Sequence, residues 1–486
     1  MARPQPYGGR GLAAALKELL AEIRELYLAD ETPWVLGYSG GKDSTLTVQL
    51  VWMALAGLPV SQRTKTVHVI STDTLVENPV VAAWANRSLE AMSAAAAEQQ
   101  LPIHPHRLTP ELNDTFWVNL IGRGYAAPRP LFRWCTERLK IRPSNKFILD
   151  VASKHGEVIL VLGIRKTEST ARARTMERHE KGRIRDRLSP HGSLPGSLVY
   201  SPIETWTTDE VWGALMQHHN PWGHSNKDLL AIYRGASPDS ECPLVVDTST
   251  PSCGDSRMGC WTCTMVDQDK SLKAMVTNDE ELEWMEPLLD LRDALDIEDD
   301  RHLRDFRRMN GQVQEHRGRL VHGPYTQAAR EDWLRRLLEA QTWIRAHGPD
   351  YVRDIALITL DELHLIRRIW VFEKHEVEDN VPRIYEETTG ELFPGKPLDE
   401  TIQFSAAQAM IDVLRDFCGD DAEEFLRMRA LLEVERTHNT MQRRAGLLGA
   451  LEKVLLKHSF KDEDDALAFA RFRRGENPDK GQDALF

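Results

Sequence analysis

The chain has 486 residues, of which 41% are hydrophobic, and a formal net charge of -13. This length is too great for one compact core, so we expect at least two domains. The acidic balance argues against a chain that coats nucleic acid by itself, because duplex affinity comes mainly from phosphate neutralisation by basic residues.

Two features of the sequence bear on the compartment. No apolar run approaches the ~20 residues that span a bilayer, and the first residues of the chain carry no apolar stretch typical of a signal peptide. We therefore expect a cytoplasmic protein that is not attached to a membrane. Its six cysteines should then be reduced thiols, metal ligands or catalytic residues.

Apolar periodicity predicts alternating helices and strands in the first half of the chain. A helix is expected over 11–28, a strand, glycine turn and helix over 34–55, a strand over 66–71, a helix over 79–99, and strands over 101–108 and 158–163. This alternation is typical of an α/β fold, in which helices cover both faces of a parallel sheet and ligands sit at the carboxyl ends of the strands.

The most informative stretch is WVLGYSGGKDST, residues 34–45, which runs from an apolar strand through a glycine turn into a helix. Glycines permit positive φ angles and bring successive N–H groups toward one anion. The helix that follows adds its positive N-terminal end. We interpret residues 39–44 as a phosphate-binding loop. It differs from the P-loop, because Gly37 is one residue too close to the Gly-Lys pair and Asp43 follows Lys42.

Two segments are basic. Residues 123–146 contain a single acid, Glu137, and residues 165–187 are rich in arginine. We interpret the second segment as an exposed basic loop that suits a polyanionic substrate. An ordinary solvated surface is the alternative.

Cysteines form a second pattern. Cys242, Cys253, Cys260 and Cys263 lie close together in a loop-like segment, and such thiols indicate a metal. Their spacing alone leaves zinc and an iron–sulfur cluster open. Cys135 lies in the first basic segment, which we expect to lower its pKa and favour the reactive thiolate. A buried structural cysteine is the alternative there.

The remainder of the chain, from about residue 280, is predicted to be almost wholly helical. The expected domains are an N-terminal helix (1–29), a nucleotide-binding α/β domain (30–240), a cysteine-rich segment (241–275) and an α-helical C-terminal domain (276–486). We interpret the helical domain as a docking region for partners or substrate.

The motif SGGKDS, residues 39–44, resembles the PP-loop of the ATP pyrophosphatase superfamily. LGIRKTESTAR (162–172), RWCTERLK (133–140) and GCWTCT (259–264) resemble segments of the phosphoadenylylsulfate reductase group within it. The resemblance covers roughly residues 30–270. It implies a PP-loop domain that binds ATP and Mg²⁺, with attack at the α-phosphorus and release of pyrophosphate.

The same resemblance implies roles for individual residues. It implies catalytic roles for Lys42, Asp43, Cys135 and Arg165. It implies nucleotide contacts from Ser39, Gly40, Gly41, Lys42, Asp43, Ser44, Thr45, Asp73, Arg165, Glu168 and Arg172. It also implies a 4Fe-4S cluster on Cys242, Cys253, Cys260 and Cys263, with Cys135 as either a sulfur relay or a replacement ligand.

The PP-loop domain, cluster cysteines and long helical region together most closely resemble the DndC family, the sulfur-transfer subunits of bacterial DNA phosphorothioation. This resemblance implies that a DNA backbone phosphate is adenylated and that sulfur replaces a non-bridging oxygen. The implied partners are DNA, a cysteine desulfurase as sulfur donor, and subunits of the DndD and DndE type. The alternatives are a sulfonucleotide reductase, a tRNA thiolation enzyme and a non-enzymatic nucleotide-binding scaffold.

Overall fold

The structure is a computed structural model, and it describes residues 6–183, 185–236, 259–374, 376, 378–395, 404–419, 421–439, 443–457 and 459–473. The chain divides into two compact units. The sheet unit contains the described residues up to Glu111 and those of Pro128–Arg292. The helical unit contains Leu112–Ala127 and the described residues from Asp293 onward.

The sheet unit alternates strands and helices along most of its length. Its strands are β1 (Trp34–Gly37), β2 (Val67–Thr72), β3 (Ile103–Leu108), β4 (Val158–Val161), β5 (Ser189–Pro190) and β6 (Ser197–Tyr200). Its helices are α1 (Leu12–Leu28), α2 (Lys42–Ala56), α3 (Pro79–Glu98), α4 (Arg142–His155), α5 (Thr170–Glu180), α6 (Thr208–Gln217), α7 (Asn226–Gly235), α8 (Lys270–Asn278) and α9 (Glu286–Leu295), which continues past Arg292.

In the described part of this unit, six strands form one sheet in the order β3-β2-β1-β4-β6-β5. Strand β1 pairs in parallel with β2 and β4, and the pairs β2–β3 and β4–β6 are parallel as well. Only the short β5 runs antiparallel to its neighbour β6. The predicted α/β fold with a mostly parallel sheet is therefore confirmed.

Helices cover both faces of the sheet, as strands that are apolar on both sides require. All four residues of β4 are buried, because alternate side chains enter cores on opposite faces. Ile159 and Val161 pack in the core formed with α1, α2, α3 and α6, whereas Val158 and Leu160 pack with Ile148 of α4.

The parallel pairing brings the carboxyl ends of three central strands to one edge. β1 ends at Gly37, β2 at Thr72 and β4 at Val161. Leu36 of β1 pairs in register with Val69 on one side and Val161 on the other. The loops that leave these strands are therefore neighbours, and this edge is where an α/β sheet binds its ligands.

The helical unit consists mainly of helices, as the sequence predicts. They are α10 (Gln327–His347), α11 (Leu360–Arg368), α12 (Asn380–Thr389), α13 (Phe404–Cys418), α14 (Ala422–Asn439), α15 (Leu447–Lys457) and α16 (Glu463–Arg473). A short hairpin, β7 (Glu315–His316) with β8 (Arg319–Leu320), precedes them and was not predicted. No helix among the described residues is both long enough and apolar enough to cross a membrane.

Leu112–Ala127 belongs to the helical unit, although the sequence places it in the α/β domain. Aromatic side chains fix it there. The indole of Trp117 donates to the carbonyl of Leu357 at 2.8 Å, and the indole of Trp370 donates to the carbonyl of Ile121 at 3.0 Å. Periodicity predicts that such residues are buried, but it does not say which core receives them.

Asn226 connects three helices of the sheet unit. Its Oδ1 accepts a hydrogen bond of 2.7 Å from the Gln49 amide on α2. Its Nδ2 donates to the carbonyls of Leu215 at 2.8 Å and His218 at 3.1 Å, where α6 ends. Asn226 is the first residue of α7 and only 7% exposed, so this side chain fixes the position of α7 on α2 and α6.

We expect Asn226→Ala to lower the free energy of unfolding by about 2–4 kcal/mol, because the buried Gln49 amide and two carbonyls lose their partner. Lys227→Ala at the exposed neighbouring position is the control and should change this free energy by less than about 0.5 kcal/mol. Urea denaturation followed by circular dichroism measures both. Equally small effects in the two variants would contradict the role assigned to Asn226.

Candidate functional site

The candidate site begins at the turn between β1 and α2. Gly40 has a φ of +75°, which residues with a Cβ rarely adopt. The Ser39 amide donates to Ser44 Oγ at 3.1 Å, and that hydroxyl donates to the carbonyl of Gly41 at 3.0 Å. The Trp84 indole, from α3, donates to the Gly40 carbonyl at 3.2 Å. These contacts hold residues 39–44, the glycine loop, in a compact shape.

The N-terminus of α2 supplies amide groups beside the glycine loop. The helix has 15 residues and follows Gly41 directly. Its first hydrogen bond back to the loop runs from the Thr45 amide to the Gly41 carbonyl at 2.9 Å, so the amides of residues 42–44 have no partner within the helix. Such amides and the helix dipole together favour an anion.

Three charged side chains gather at this point. Arg165 Nε lies 2.7 Å from Asp43 Oδ1, and Lys42 Nζ lies 3.2 Å from Asp43 Oδ2. Arg165 is only 2% exposed, and its other donors bind Thr167 Oγ1 at 3.0 Å and the Trp206 carbonyl at 3.1 Å. The structure thus brings Lys42, Asp43 and Arg165 together. Hydrogen bonds to Thr167 and Trp206 also hold the Arg165 side chain in place.

Gly163 allows the exit of β4 to approach α2. A Cβ at Gly163 would lie 2.7 Å from the carbonyl oxygen of Asp43 and 2.8 Å from Thr47 Oγ1. The first of these is backbone, which cannot move aside as the end of a long side chain does. The absence of a Cβ at Gly163, two residues before Arg165, therefore allows Arg165 to lie against Asp43.

Three of the other predicted nucleotide-contact residues, Asp73, Glu168 and Arg172, have protein partners in this structure. Asp73, at the end of β2, accepts a hydrogen bond of 3.0 Å from Arg107 Nε. Glu168 and Arg172 form an ion pair with each other. Thr45 is fully buried beneath the glycine loop. Their contacts with a nucleotide stay predictions.

Tyr233 of α7 is a site residue that the sequence did not indicate. The Lys42 amide donates to its Oη at 3.3 Å, and the Lys42 ammonium lies 5.5 Å from the centre of its ring. Trp84, whose indole binds the Gly40 carbonyl, is a second site residue that the sequence did not indicate. Tyr233 and Trp84 lie on helices that are separated in sequence from the glycine loop, so only the tertiary fold brings them to it.

The Cys-x-x-Cys pair lies beside the chain that leaves β2. Cys260 forms an antiparallel bridge with Glu77. Backbone hydrogen bonds of 3.0 and 3.1 Å on either side join residues 259–261 to residues 76–78. The Cys263 amide donates to the Cys260 carbonyl at 3.1 Å and closes the turn. Because β2 is the neighbour of β1, this segment lies at the same edge of the sheet as the glycine loop.

The surroundings of Cys260 keep its thiol protonated. Thr74 Oγ1 lies 3.4 Å and Glu77 Oε1 lies 3.7 Å from its sulfur. Burial raises the pKa of Cys260 to about 12, and the Glu77 carboxylate adds to the effect. Burial alone would lower the pKa of the nearby Lys140 amine, but the Glu77 carboxylate helps to raise it overall. Such a thiol becomes a thiolate only when a metal or a cation stabilises it.

The prediction that basic neighbours lower the pKa of Cys135 is wrong. Burial raises the pKa of this thiol, and the nearby Cys263 raises it further. Basic residues of the segment have acidic partners instead: Lys140 lies 3.1 Å from Glu77. Cys135 lies near Cys263, and whether it carries sulfur or binds a metal stays a prediction.

The predicted ligands Cys242 and Cys253 lie outside the described residues. In the part of the chain that the structure describes, no three His, Cys, Asp or Glu side chains are placed to hold a metal ion. Cys263 is near enough to Cys135 and to Cys260 to raise the pKa of each of those two thiols. Thiolates are preferred ligands of zinc and of iron–sulfur clusters, so the residue types suit the implied group. Their placement in the described residues does not by itself form a metal site, and the cluster stays a prediction.

The second basic segment differs from the exposed loop expected from the sequence. Residues 170–180 form α5, where the helix-favouring residues Ala, Arg, Met and Glu predominate. Many of its basic groups are paired with acids: Lys166 lies 2.5 Å from Glu180, and Arg185 lies 2.7 Å from Glu157. Paired side chains contribute less positive potential for a polyanion than a basic loop would.

Comparison with known proteins agrees with this geometry. Residues 33–265 match the model of the phosphoadenosine phosphosulfate reductase domain. A stretch of 200 residues is 28% identical to an uncharacterized protein from Methanocaldococcus jannaschii, covering 41% of this chain and 35% of that protein. The chain thus spans about a third of the length of this curated relative.

Among solved structures, the chain is similar to the U34-tRNA thiolase NcsA from Methanococcus maripaludis, determined with its 4Fe-4S cluster. The two are 15% identical over 58% of this chain and 79% of the thiolase chain, with a TM-score of 0.27. That TM-score is too low for the likeness to support an argument. The stretch matched by the family model contains the glycine loop, Gly163, Arg165 and both cysteines of the Cys-x-x-Cys pair, and residues 33–265 form a phosphoadenosine phosphosulfate reductase-like domain of the PP-loop superfamily.

Proposed function

We propose that this chain is an ATP-dependent sulfurtransferase that adenylates a DNA backbone phosphate, releases pyrophosphate and replaces a non-bridging oxygen with sulfur. One observation carries the proposal. The glycine loop follows β1, the Cys-x-x-Cys segment is hydrogen-bonded to the chain leaving β2, and these two strands are paired neighbours. Groups suited to phosphate and groups suited to sulfur therefore share one edge of the sheet.

The first step is attack of a non-bridging DNA oxygen on the α-phosphorus of ATP. A new oxygen–phosphorus bond forms, and the bond to the β-phosphate oxygen breaks, so that pyrophosphate leaves with the electron pair. Lys42 and the amides at the start of α2 offset the negative charge on the leaving group. Asp43 is the carboxylate beside the glycine loop and would hold Mg²⁺, which supplies further neutralisation of the phosphates.

The second step is displacement of AMP by sulfur. A cysteine desulfurase supplies sulfur as a persulfide, whose terminal sulfur attacks the DNA phosphorus while AMP leaves. A second thiolate then cleaves the sulfur–sulfur bond, which frees the phosphorothioate and leaves a disulfide for a thiol reductant to reopen. Cys135 either carries this sulfur or joins Cys260 and Cys263 as a ligand. When bound there, a 4Fe-4S cluster would supply iron with affinity for sulfur.

The charge of the chain supports a need for partner proteins. Its net charge is -13, and ion pairs such as Arg183 with Glu204 at 3.4 Å occupy much of the second basic segment. A chain of this kind gains little affinity from phosphate neutralisation alone. We propose that subunits of the DndD and DndE type hold the duplex while this chain performs the chemistry.

A second candidate function is reduction of a sulfonucleotide, which the description of the matching family model favours. Such a reaction breaks a sulfur–oxygen bond, takes two electrons from a dithiol that becomes a disulfide, and releases sulfite without cleaving ATP. Sulfite formation from phosphoadenosine phosphosulfate by the full chain with an added dithiol reductant, and with no pyrophosphate from ATP, would favour this candidate over the sulfurtransferase.

We expect Lys42→Ala to lower pyrophosphate release from ATP by at least about 100-fold, because the leaving group loses its cation. Folding should be unaffected, since the Lys42 side chain lies at the loop and outside the apolar core. Lys17→Ala, an exposed position on α1, is the control and should retain full turnover. Normal turnover in Lys42→Ala would reject the role of this lysine.

We expect anaerobically purified protein to be brown and to contain about four irons per chain. Cys260→Ser and Cys263→Ser should lose both the colour and the iron, while Cys418→Ser, on α13 of the helical unit, should keep them. Iron analysis and the visible spectrum measure these effects. A colourless protein with one zinc per chain would refute the cluster.

Loss of iron in Cys135→Ser would identify Cys135 as a ligand, and retained iron with lost sulfur transfer would identify it as the carrier.

We expect DNA from cells that carry the gene to contain phosphorothioate dinucleotides, and DNA from cells in which it is deleted to lack them. Nuclease digestion that spares the sulfur-containing linkage, followed by mass spectrometry, detects them directly. The tRNA of the same cells serves as the control and should have unchanged thiolated bases. Loss of tRNA thiolation with unmodified DNA would show that the acceptor is tRNA.

A further inference from the structure

Tyr233 reaches the glycine loop from α7, outside the motif that carries the phosphate-binding residues. Its hydroxyl oxygen accepts the Lys42 amide at 3.3 Å. A Cβ placed on Gly41 would lie 3.2 Å from the same oxygen. The hydroxyl therefore lies directly over the glycine and the first amide of α2, the place where a helix N-terminus binds an anion.

The charges around Tyr233 belong to the same site. Lys42, Asp43 and Arg165 all act electrostatically on its hydroxyl. With no ligand bound, a neutral oxygen is the acceptor for the Lys42 amide, and a phosphate oxygen with a full negative charge is a better acceptor for that amide. A bound phosphate would thus take over the amide and come within reach of the hydroxyl.

We infer that Tyr233 binds the nucleotide directly: its hydroxyl changes from accepting the Lys42 amide to donating a hydrogen bond to a β- or γ-phosphate oxygen. This inference rests on the proposed function, because it assumes ATP in the glycine loop. It assigns a donor from α7 to the pyrophosphate that leaves in the first step. Tyr233 then belongs with Lys42 among the groups that stabilise the leaving group.

Two features prepare Tyr233 for this role. Its ring is held edge-on to the Trp212 ring with centres 5.1 Å apart, and Tyr233 is only 9% exposed. Asn226 fixes the start of the same helix on α2 and α6. Burial raises the pKa of Tyr233, so the hydroxyl keeps its proton at neutral pH and remains a donor. Because the Tyr233 side chain is already held in place, it loses little conformational entropy when it donates a hydrogen bond to a phosphate.

The test compares ATP with AMP, which lacks the β- and γ-phosphates, in calorimetric titrations of the full chain with Mg²⁺. We expect Tyr233→Phe, which keeps the ring, to weaken ATP binding by about 10-fold or more, because a hydrogen bond to a charged group is lost. AMP binding should be unchanged. Tyr27→Phe is the matched control, because its hydroxyl donates to the Lys65 carbonyl at 2.8 Å, ahead of β2 at the opposite end of the strand.

Each outcome decides the inference. Unchanged or tighter ATP binding in Tyr233→Phe would overturn it, and so would an equal loss of ATP and AMP affinity, which a purely structural role predicts. A loss of the same size in Tyr27→Phe would overturn it as well. If the unaltered chain binds ATP no more tightly than AMP, the glycine loop does not hold pyrophosphate, and the proposed function falls together with this inference.

Discussion

The ion pair between Asp43 and Arg165 is the contact on which the candidate site depends. It joins the start of α2, which follows β1, to the chain that leaves β4, and both side chains are largely buried. Removing one partner of a buried pair typically costs about 3–5 kcal/mol, because the other charge is left without compensation. The pair forms because Gly163 has no Cβ to collide with the Asp43 carbonyl. One glycine thus allows two loops to meet and sets the geometry around Lys42.

The same edge of the sheet carries both the glycine loop and the Cys-x-x-Cys pair. The bridge between Glu77 and Cys260 fixes the cysteine segment to the chain leaving β2, while the glycine loop follows the neighbouring strand β1. The raised pKa values of Cys135 and Cys260 mean that these thiols are poor nucleophiles as they stand. Under the proposed function, these thiols would therefore need a bound metal centre or a persulfide supplied by a partner.

Local patterns in the sequence predicted much of this architecture. The apolar strands around Leu36 and Leu160 and the glycine turn at Gly40 are set by residues close in sequence, so the α/β fold and the position of the glycine loop could be inferred. The raised pKa of Cys135 could not be inferred. The effect of burial on this pKa outweighs the effect of the basic segment, because basic residues of that segment are paired with acidic side chains. Tyr233 was also missed, since α7 reaches the loop only through its contacts with α2 and α6.

The proposal requires that ATP be cut between its α- and β-phosphorus atoms, since this cleavage forms the adenylated backbone phosphate that sulfur then attacks. The most direct measurement uses ATP labelled on the α-phosphate, the full chain and duplex DNA, with desulfurase and partner subunits present, and separates the labelled products by chromatography. The proposed mechanism predicts labelled AMP in amounts equal to the pyrophosphate released. Labelled ADP together with inorganic phosphate would contradict it.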